Sequence, residues 1–239
     1  MILTSRTDPK QESLPFRIDD NGYFDSFVAG PNERLVENLK RAVRLRHFEQ
    51  FYIFGPKGCG KSHLLTALFR TIKKPTLNVF YVDLSLVLSL SPMLLDVEPP
   101  PVVLLDNVDA LGGDDAWELG LFGFYNRWLD RQAGVLIATA TCSADRLPFN
   151  RHDLNTRFEN GISCPMQRLD EKSCQKALQI KARRRGFEIP SKVAAYLVKN
   201  CNLDMPSLVT ILNKLDVASL EAQHELTIPF VKKILNLGK

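Results

Sequence analysis

The 239-residue chain is 45% hydrophobic and 24% charged, the balance of an ordinary globular protein with room for one medium domain and a small second one. Its formal net charge of +4 permits an acidic partner but does not define a nucleic-acid binder. Cys59, Cys142, Cys164, Cys174 and Cys201 form no CxxC pair, which argues against a zinc site or a disulfide framework.

No signal-peptide core opens the chain, and the nearest approach to a membrane span, Val79 to Val97, is interrupted by Asp83, Pro92 and Asp96. The expectation is a cytoplasmic protein with reduced thiols and no membrane partner. Residues 1–22 are polar, carry Pro9, Pro15 and Gly22, and read as an extended or disordered tail. From Pro31, the spacing of Leu35, Leu39, Val43 and Leu45 among charges predicts an amphipathic helix. Phe51-Tyr52-Ile53-Phe54 then reads as a buried strand.

That strand runs into Gly55-Pro56-Lys57-Gly58-Cys59-Gly60-Lys61-Ser62, a complete G-x-x-x-x-G-K-[ST] loop, and a helical pattern follows over His63 to Phe69. Glycines in such a loop let successive backbone N–H groups turn inward around a phosphate chain, and the helix start adds its positive dipole end. Lys61 is placed to reach the β- and γ-phosphates and the Ser62 hydroxyl to ligate Mg²⁺. A Gly-rich turn that binds nothing would not need Lys61-Ser62 at this offset. The chain is therefore expected to bind a nucleoside di- or triphosphate.

A strand over Asn78–Val82 ends at Asp83. After the rigid spacer Glu98-Pro99-Pro100-Pro101, Val102-Val103-Leu104-Leu105 is closed by Asp106, the expected Mg²⁺-ordering carboxylate. Efficient P-loop ATPases usually carry an acid at the next position, whereas this chain has Asn107, which can orient a water but cannot take its proton. Asp109 is the alternative acid, and slow intrinsic hydrolysis is expected. A helix over Asp114–Asp130 leads to the strand Val135–Ala138, with Thr139 and Thr141 beyond it as candidate γ-phosphate sensors alongside Asn107. Arg157, in Asp153-Leu154-Asn155-Thr156-Arg157-Phe158, reads either as a surface cation or as an arginine finger aimed at another protomer's γ-phosphate.

A short strand at Ile162–Cys164 completes an α/β pattern with a doubly wound parallel sheet. Beyond Pro165 the pattern is helical. One helix is capped by Asp170 and stops at Gly186, and others follow Pro190-Ser191, Pro206-Ser207 and Thr227, with Leu208, Ile211, Leu212 and Leu215 on one stripe. The expected organisation is a tail over 1–22, a P-loop nucleotide-binding domain over 23–165 and a small helical domain over 166–239.

Phe24–Asn32, the P-loop with His63-Leu64-Leu65, Asp106-Asn107 and Thr156-Arg157-Phe158 together resemble the AAA+ domain of the bacterial replication initiator DnaA. Gly113–Leu119 with Phe122 and Tyr125-Asn126-Arg127, Arg183–Pro190, and Leu226–Lys232 are similar to segments of the Hda family, short relatives that regulate DnaA inactivation. The resemblance runs from about residue 11 onward. It implies a three-layer AAA+ parallel-sheet domain followed by a helical lid, ADP or ATP with Mg²⁺ between them, and work at replication origins. In that setting Gln11-Glu12-Ser13-Leu14-Pro15-Phe16 looks like a docking peptide for the DNA polymerase sliding clamp (its β subunit). Gln11 is its polar contact, Leu14 and Phe16 are apolar anchors, Ser13 and Pro15 lie within it, and Glu12 is a departure that weakens the match.

The resemblance breaks at Met205-Pro206-Ser207-Leu208, where DnaA-type lids place a nucleotide-sensing arginine. Lys214 or Arg183 could substitute, or the lid does not read the nucleotide. The function implied is a clamp-held adaptor that offers Arg157 to ATP on DnaA, contacts DNA indirectly through the loaded clamp, and lowers replication initiation. Self-association is left open. The alternatives are an initiator, for which the chain ending at Lys239 leaves no room for a DNA-reading helix pair, a helicase loader, and a self-contained ATPase, against which Asn107 and Pro206 argue.

Overall fold

The computed structural model of the chain describes residues 2–4, 22–72, 78–200, 205–222 and 226–235. Two largely apolar segments of five and six residues, Val102–Asp106 (β4) and Val135–Ala140 (β5), lie at the centre of a six-stranded sheet and are buried along their whole length. Such uninterrupted burial requires both faces of a sheet to be covered, as parallel sheets are. Glu49–Phe54 (β2), Val79–Asp83 (β3) and Ile162–Pro165 (β6) join them in the order β3-β4-β5-β2-β6, every pair parallel.

Alternation along the strands divides the core in two. Tyr52, Phe80, Val103, Leu105 and Leu136 face Asp115–Arg131 (α3), whose Trp117, Phe124 and Trp128 are buried against them. Phe51, Ile53, Tyr81, Leu104 and Ile137 face Glu33–Leu45 (α1) and Lys61–Thr71 (α2). This is the three-layer arrangement. The α1 face that meets the core is Val36, Leu39, Ala42 and Val43, whereas Leu45, expected on that face, is exposed at the last turn.

His152–Glu159 (α4) precedes β6, and the chain then leaves the sheet for Glu171–Arg184 (α5), Ser191–Asn200 (α6), Met205–Ala222 (α7) and Ile228–Leu235 (α8). Asp170 caps α5 by accepting the Ser173 N–H at 2.7 Å. These helices enclose a separate core that includes Leu178, Leu197, Leu208, Leu212, Leu215 and Val231. Pro206 is the second residue of α7, a first-turn position where the missing N–H costs no helical bond.

One expectation needs correction. The polar character of residues 1–22 suggests a tail without regular structure, yet Ile2–Thr4 (β1) pairs antiparallel with β3 at the sheet edge, Ile2 opposite Val82 and Thr4 opposite Phe80. Ile, Leu and Thr suit a strand, and the edge of β3 offers a row of backbone groups that a further strand can pair. Gln11, Ser13, Leu14, Pro15 and Phe16 lie outside the described residues, as does Cys201.

Candidate nucleotide-binding site

The phosphate loop leaves the carboxyl end of β2 and enters α2 at Lys61. Gly58 (φ 80°) and Gly60 (φ 104°) hold left-handed backbone that a Cβ would strain. Gly55 is needed for space, since a Cβ there would lie 2.3 Å from the Met166 carbonyl oxygen. Lys61 is 6% exposed, and its Nζ donates to the carbonyls of Gly55 at 2.7 Å and Pro56 at 3.2 Å. None of the ion pairs among the described residues involves it. A buried ammonium at the start of a helix, held by carbonyl oxygens and the Cys59 sulfur with no carboxylate in direct contact, suits a phosphate chain, which brings negative charge to the loop.

Ser62 faces the end of β4. Asp106 is fully buried, its Oδ1 accepts the Thr139 hydroxyl, and its Oδ2 has no hydrogen-bond partner among the described residues. Burial pushes the Asp106 carboxyl up to about 6, with hydrogen bonds from Ser62 and Thr139 opposing the rise. An orphaned carboxylate oxygen beside a serine hydroxyl fits a hard, oxygen-seeking cation, so Ser62 and Asp106 are the residues that would hold Mg²⁺. Bound there, the ion would neutralise phosphate charge.

Around this centre the candidate sensors divide. Thr139 is wholly buried and is committed to Asp106 and to the Asn107 N–H at 3.0 Å. Asn107 has left-handed backbone (φ 55°) and donates its Nδ2 to Asp83 Oδ1 at 3.0 Å. Thr141 is exposed and gives both its N–H and its hydroxyl to Asp109 Oδ2. The acid proposed as a substitute for Asn107 is thus held by Thr141.

Sequence reasoning assigned no role to a second group of residues. The His63 ring stands edge-on to Phe27 at 5.1 Å, and a Cβ at Gly60 would meet the side chains of Met166 at 3.4 Å and Phe27 at 3.6 Å. Burial, reinforced by the positive charge of Lys181, lowers His63 to about 4 and keeps it neutral. Asn32 donates to the Gln167 carbonyl at 2.9 Å and accepts the Gln167 N–H at 2.8 Å, pinning the start of the passage into α5. Tyr23 lies beneath Arg70 of α2 and Arg184 of α5, at 4.2 and 5.5 Å. The residues flanking the loop thereby join the sheet to the lid helices. Phe24–Asn32 stood out only as a segment, because their partners are distant in the chain: His63 for Phe27, and Gln167, 135 positions on, for Asn32.

Arg157 stands apart from this centre. Its carbonyl accepts from Gln50 Nε2 at 3.1 Å, at the amino end of β2, whereas the phosphate loop leaves the carboxyl end roughly 13 Å along the strand. Its guanidinium lies over the rings of Phe122 at 4.4 Å and Tyr125 at 5.3 Å, and Nε is buried without a hydrogen-bond partner. It rests against α3 in place of the outward projection expected for a finger. Tyr125, which flanks the Arg157 carbonyl, is pushed up to about 12 by burial.

Residues 18–88 match the family model described as the bacterial DnaA ATPase domain, and residues 170–235 match the one described as the Hda lid domain. The first stretch is thus similar to a DnaA ATPase domain and the second to an Hda lid. The AAA+ fold is shared with domain III of Thermotoga maritima DnaA, at TM-score 0.79 and 20% identity over 91% of this chain and 97% of that one. AMPPCP-bound DnaA from Aquifex aeolicus aligns at TM-score 0.69 and 22% identity, over 86% of this chain and 68% of its own. The Thermotoga maritima Holliday-junction branch-migration motor RuvB aligns at TM-score 0.68 and 16% identity, over 90% and 72%. Among the described residues, no helix is long and apolar enough to cross a membrane.

Proposed function

We propose that this Hda-like chain is a cytoplasmic AAA+ adaptor that binds ADP or ATP with Mg²⁺, docks on the DNA polymerase sliding clamp, and stimulates hydrolysis of ATP bound to DnaA. The observation that carries the reading is the contrast within the site: a complete phosphate loop beside a strand end whose Asn107 provides no base. Such a site holds a nucleotide better than it consumes one. The lid match over residues 170–235 favours the adaptor among DnaA-related proteins.

In this reading Lys61 and the loop amides bind the phosphates, Ser62 and Asp106 hold the cation, and Phe27, His63 and Met166 flank the base side. Gln11, Ser13, Leu14, Pro15 and Phe16 engage the clamp, and through it the protein reaches DNA. Arg157, anchored away from its own phosphate loop, serves the nucleotide of DnaA, so replication initiation is lowered. The deciding experiment is capture of purified sliding clamp by the wild type and by the Gln11→Ala/Leu14→Ala variant. Binding lost in the variant supports the adaptor, and a wild type that leaves the clamp in solution removes it.

A further inference from the structure

The carboxyl ends of β3 and β4 lie side by side with Asp83 and Asp106 as register partners, which brings Asn107 within reach of Asp83. Only the Nδ2 end of the Asn107 amide can donate to a carboxylate, and it does so to Asp83 Oδ1 at 3.0 Å. That bond decides which way the amide faces: Nδ2 lies toward β3 and Oδ1 away from it. The same Asp83 oxygen accepts the Ser85 N–H at 3.0 Å and the Ser85 hydroxyl at 2.6 Å. Asn107 is fixed from its other side by left-handed backbone and by its N–H on Thr139. Both partners are therefore immobilised, with the carboxylate on β3 and the amide beside Asp106.

We propose that Asp83 and Asn107 form a split pair that holds ATP hydrolysis back. A general base must come within hydrogen-bond reach of the attacking water. Asp83 sits a full strand spacing, about 4.8 Å, farther from the phosphate loop than the residue beside Asp106. It acts as a positioning residue: it makes Asn107 present an acceptor that orients water without deprotonating it. The inference rests on the nucleotide reading above and adds a residue to which that reading gives no role.

Exchanging the two side chains tests it. In Asp83→Asn/Asn107→Asp the hydrogen bond is remade in the opposite sense, and the carboxylate stands next to Asp106. There it takes the proton of the attacking water, the water oxygen bonds to the γ-phosphorus, and the bridging oxygen leaves on ADP. The full-length double variant should turn over ATP at least about 10²-fold faster than wild type, the lower end of what a positioned base contributes. Titration should show that it still binds Mg-ATP.

A second readout needs no nucleotide. Asn107→Asp alone sets two carboxylates face to face and should lower the melting temperature by about 2–4 °C. Adding Asp83→Asn should restore it. If Asp83 only capped the turn over residues 84–86, adding Asp83→Asn would recover nothing, and the pair would be refuted. A double variant that binds ATP yet hydrolyses it at the wild-type rate refutes the restraint on catalysis. A wild type that binds no ATP removes the nucleotide reading instead, and the melting series still decides whether the two side chains are coupled.

Discussion

The burial of Asp106 and that of His63 act in opposite directions on stability in the nucleotide-free protein. The folded Asp106 carboxyl sits at about 6 against an ordinary 3.8, so its contribution is fully present below pH 4 and is lost as pH rises through 6. His63 is lowered from 6.5 to about 4, so its contribution is present above pH 6.5 and is lost as pH falls through 4. Each shift amounts to about 3 kcal/mol, with opposite sign. Together they should leave stability nearly flat across that window. Asp106→Asn removes one slope and unmasks the other: its melting temperature should rise relative to wild type by roughly 6–12 °C between pH 4 and 6.5. Parallel melting curves across that range would show that burial does not control Asp106. At the same centre, Lys61→Ala deletes the ammonium held by Gly55 and Pro56. Mg-ADP at a hundredfold excess over its dissociation constant should stabilise the wild type by about 2.7 kcal/mol and this variant not at all, as read by thermal melting.

Among the elements, α3 begins where Asp114 accepts the N–H groups of Ala116 at 3.1 Å and Trp117 at 3.2 Å. Losing such a cap costs about 1 kcal/mol. Asp114→Ala should therefore lower the melting temperature by about 2–4 °C while nucleotide affinity, measured by titration, stays unchanged. A loss of affinity would mean that α3 reaches the phosphate loop. α3, like α1, α2, the lid helices and the parallel strands, was legible in the sequence because its signal, apolar periodicity, is local, helped in α5 by the Asp170 cap and the Gly186 stop; α4, at His152–Glu159, was not anticipated. The phosphate loop and Asp106 were legible for the same reason. What escaped depends on strand register and on partners distant in the chain. Asp83 looked like a strand end until β3 and β4 were aligned. Asn32 gained a role only from Gln167, and β1 only from the open edge of β3. Arg157 was recognisable as a candidate, but its rest on Phe122 depends on how α4 sits across α3.

For the whole molecule, the separation of Arg157 from the phosphate loop makes the sharpest prediction. A group that works on a neighbour's nucleotide contributes nothing to ground-state contacts at its own site. Arg157→Ala should therefore leave this protein's nucleotide affinity and its capture by the clamp intact. The stacking on Phe122 is worth roughly 0.5–1 kcal/mol at a half-exposed site, so the melting temperature should fall by no more than about 4 °C. Hydrolysis of DnaA-bound ATP with DNA-loaded clamp should nevertheless collapse, because arginine fingers supply about 10³–10⁵ in rate by stabilising charge that develops only in the transition state. Arg157→Lys should rescue poorly: an ammonium keeps the charge but lacks the planar fork that spans two phosphate oxygens. The guanidinium would have to lift from Phe122 to act, and its unpartnered Nε makes that departure inexpensive in hydrogen bonds. An Arg157→Ala protein that stimulates DnaA as well as wild type would break the adaptor mechanism at its catalytic centre. Loss of stimulation together with loss of the protein's own nucleotide binding would instead place Arg157 in the fold and not between molecules.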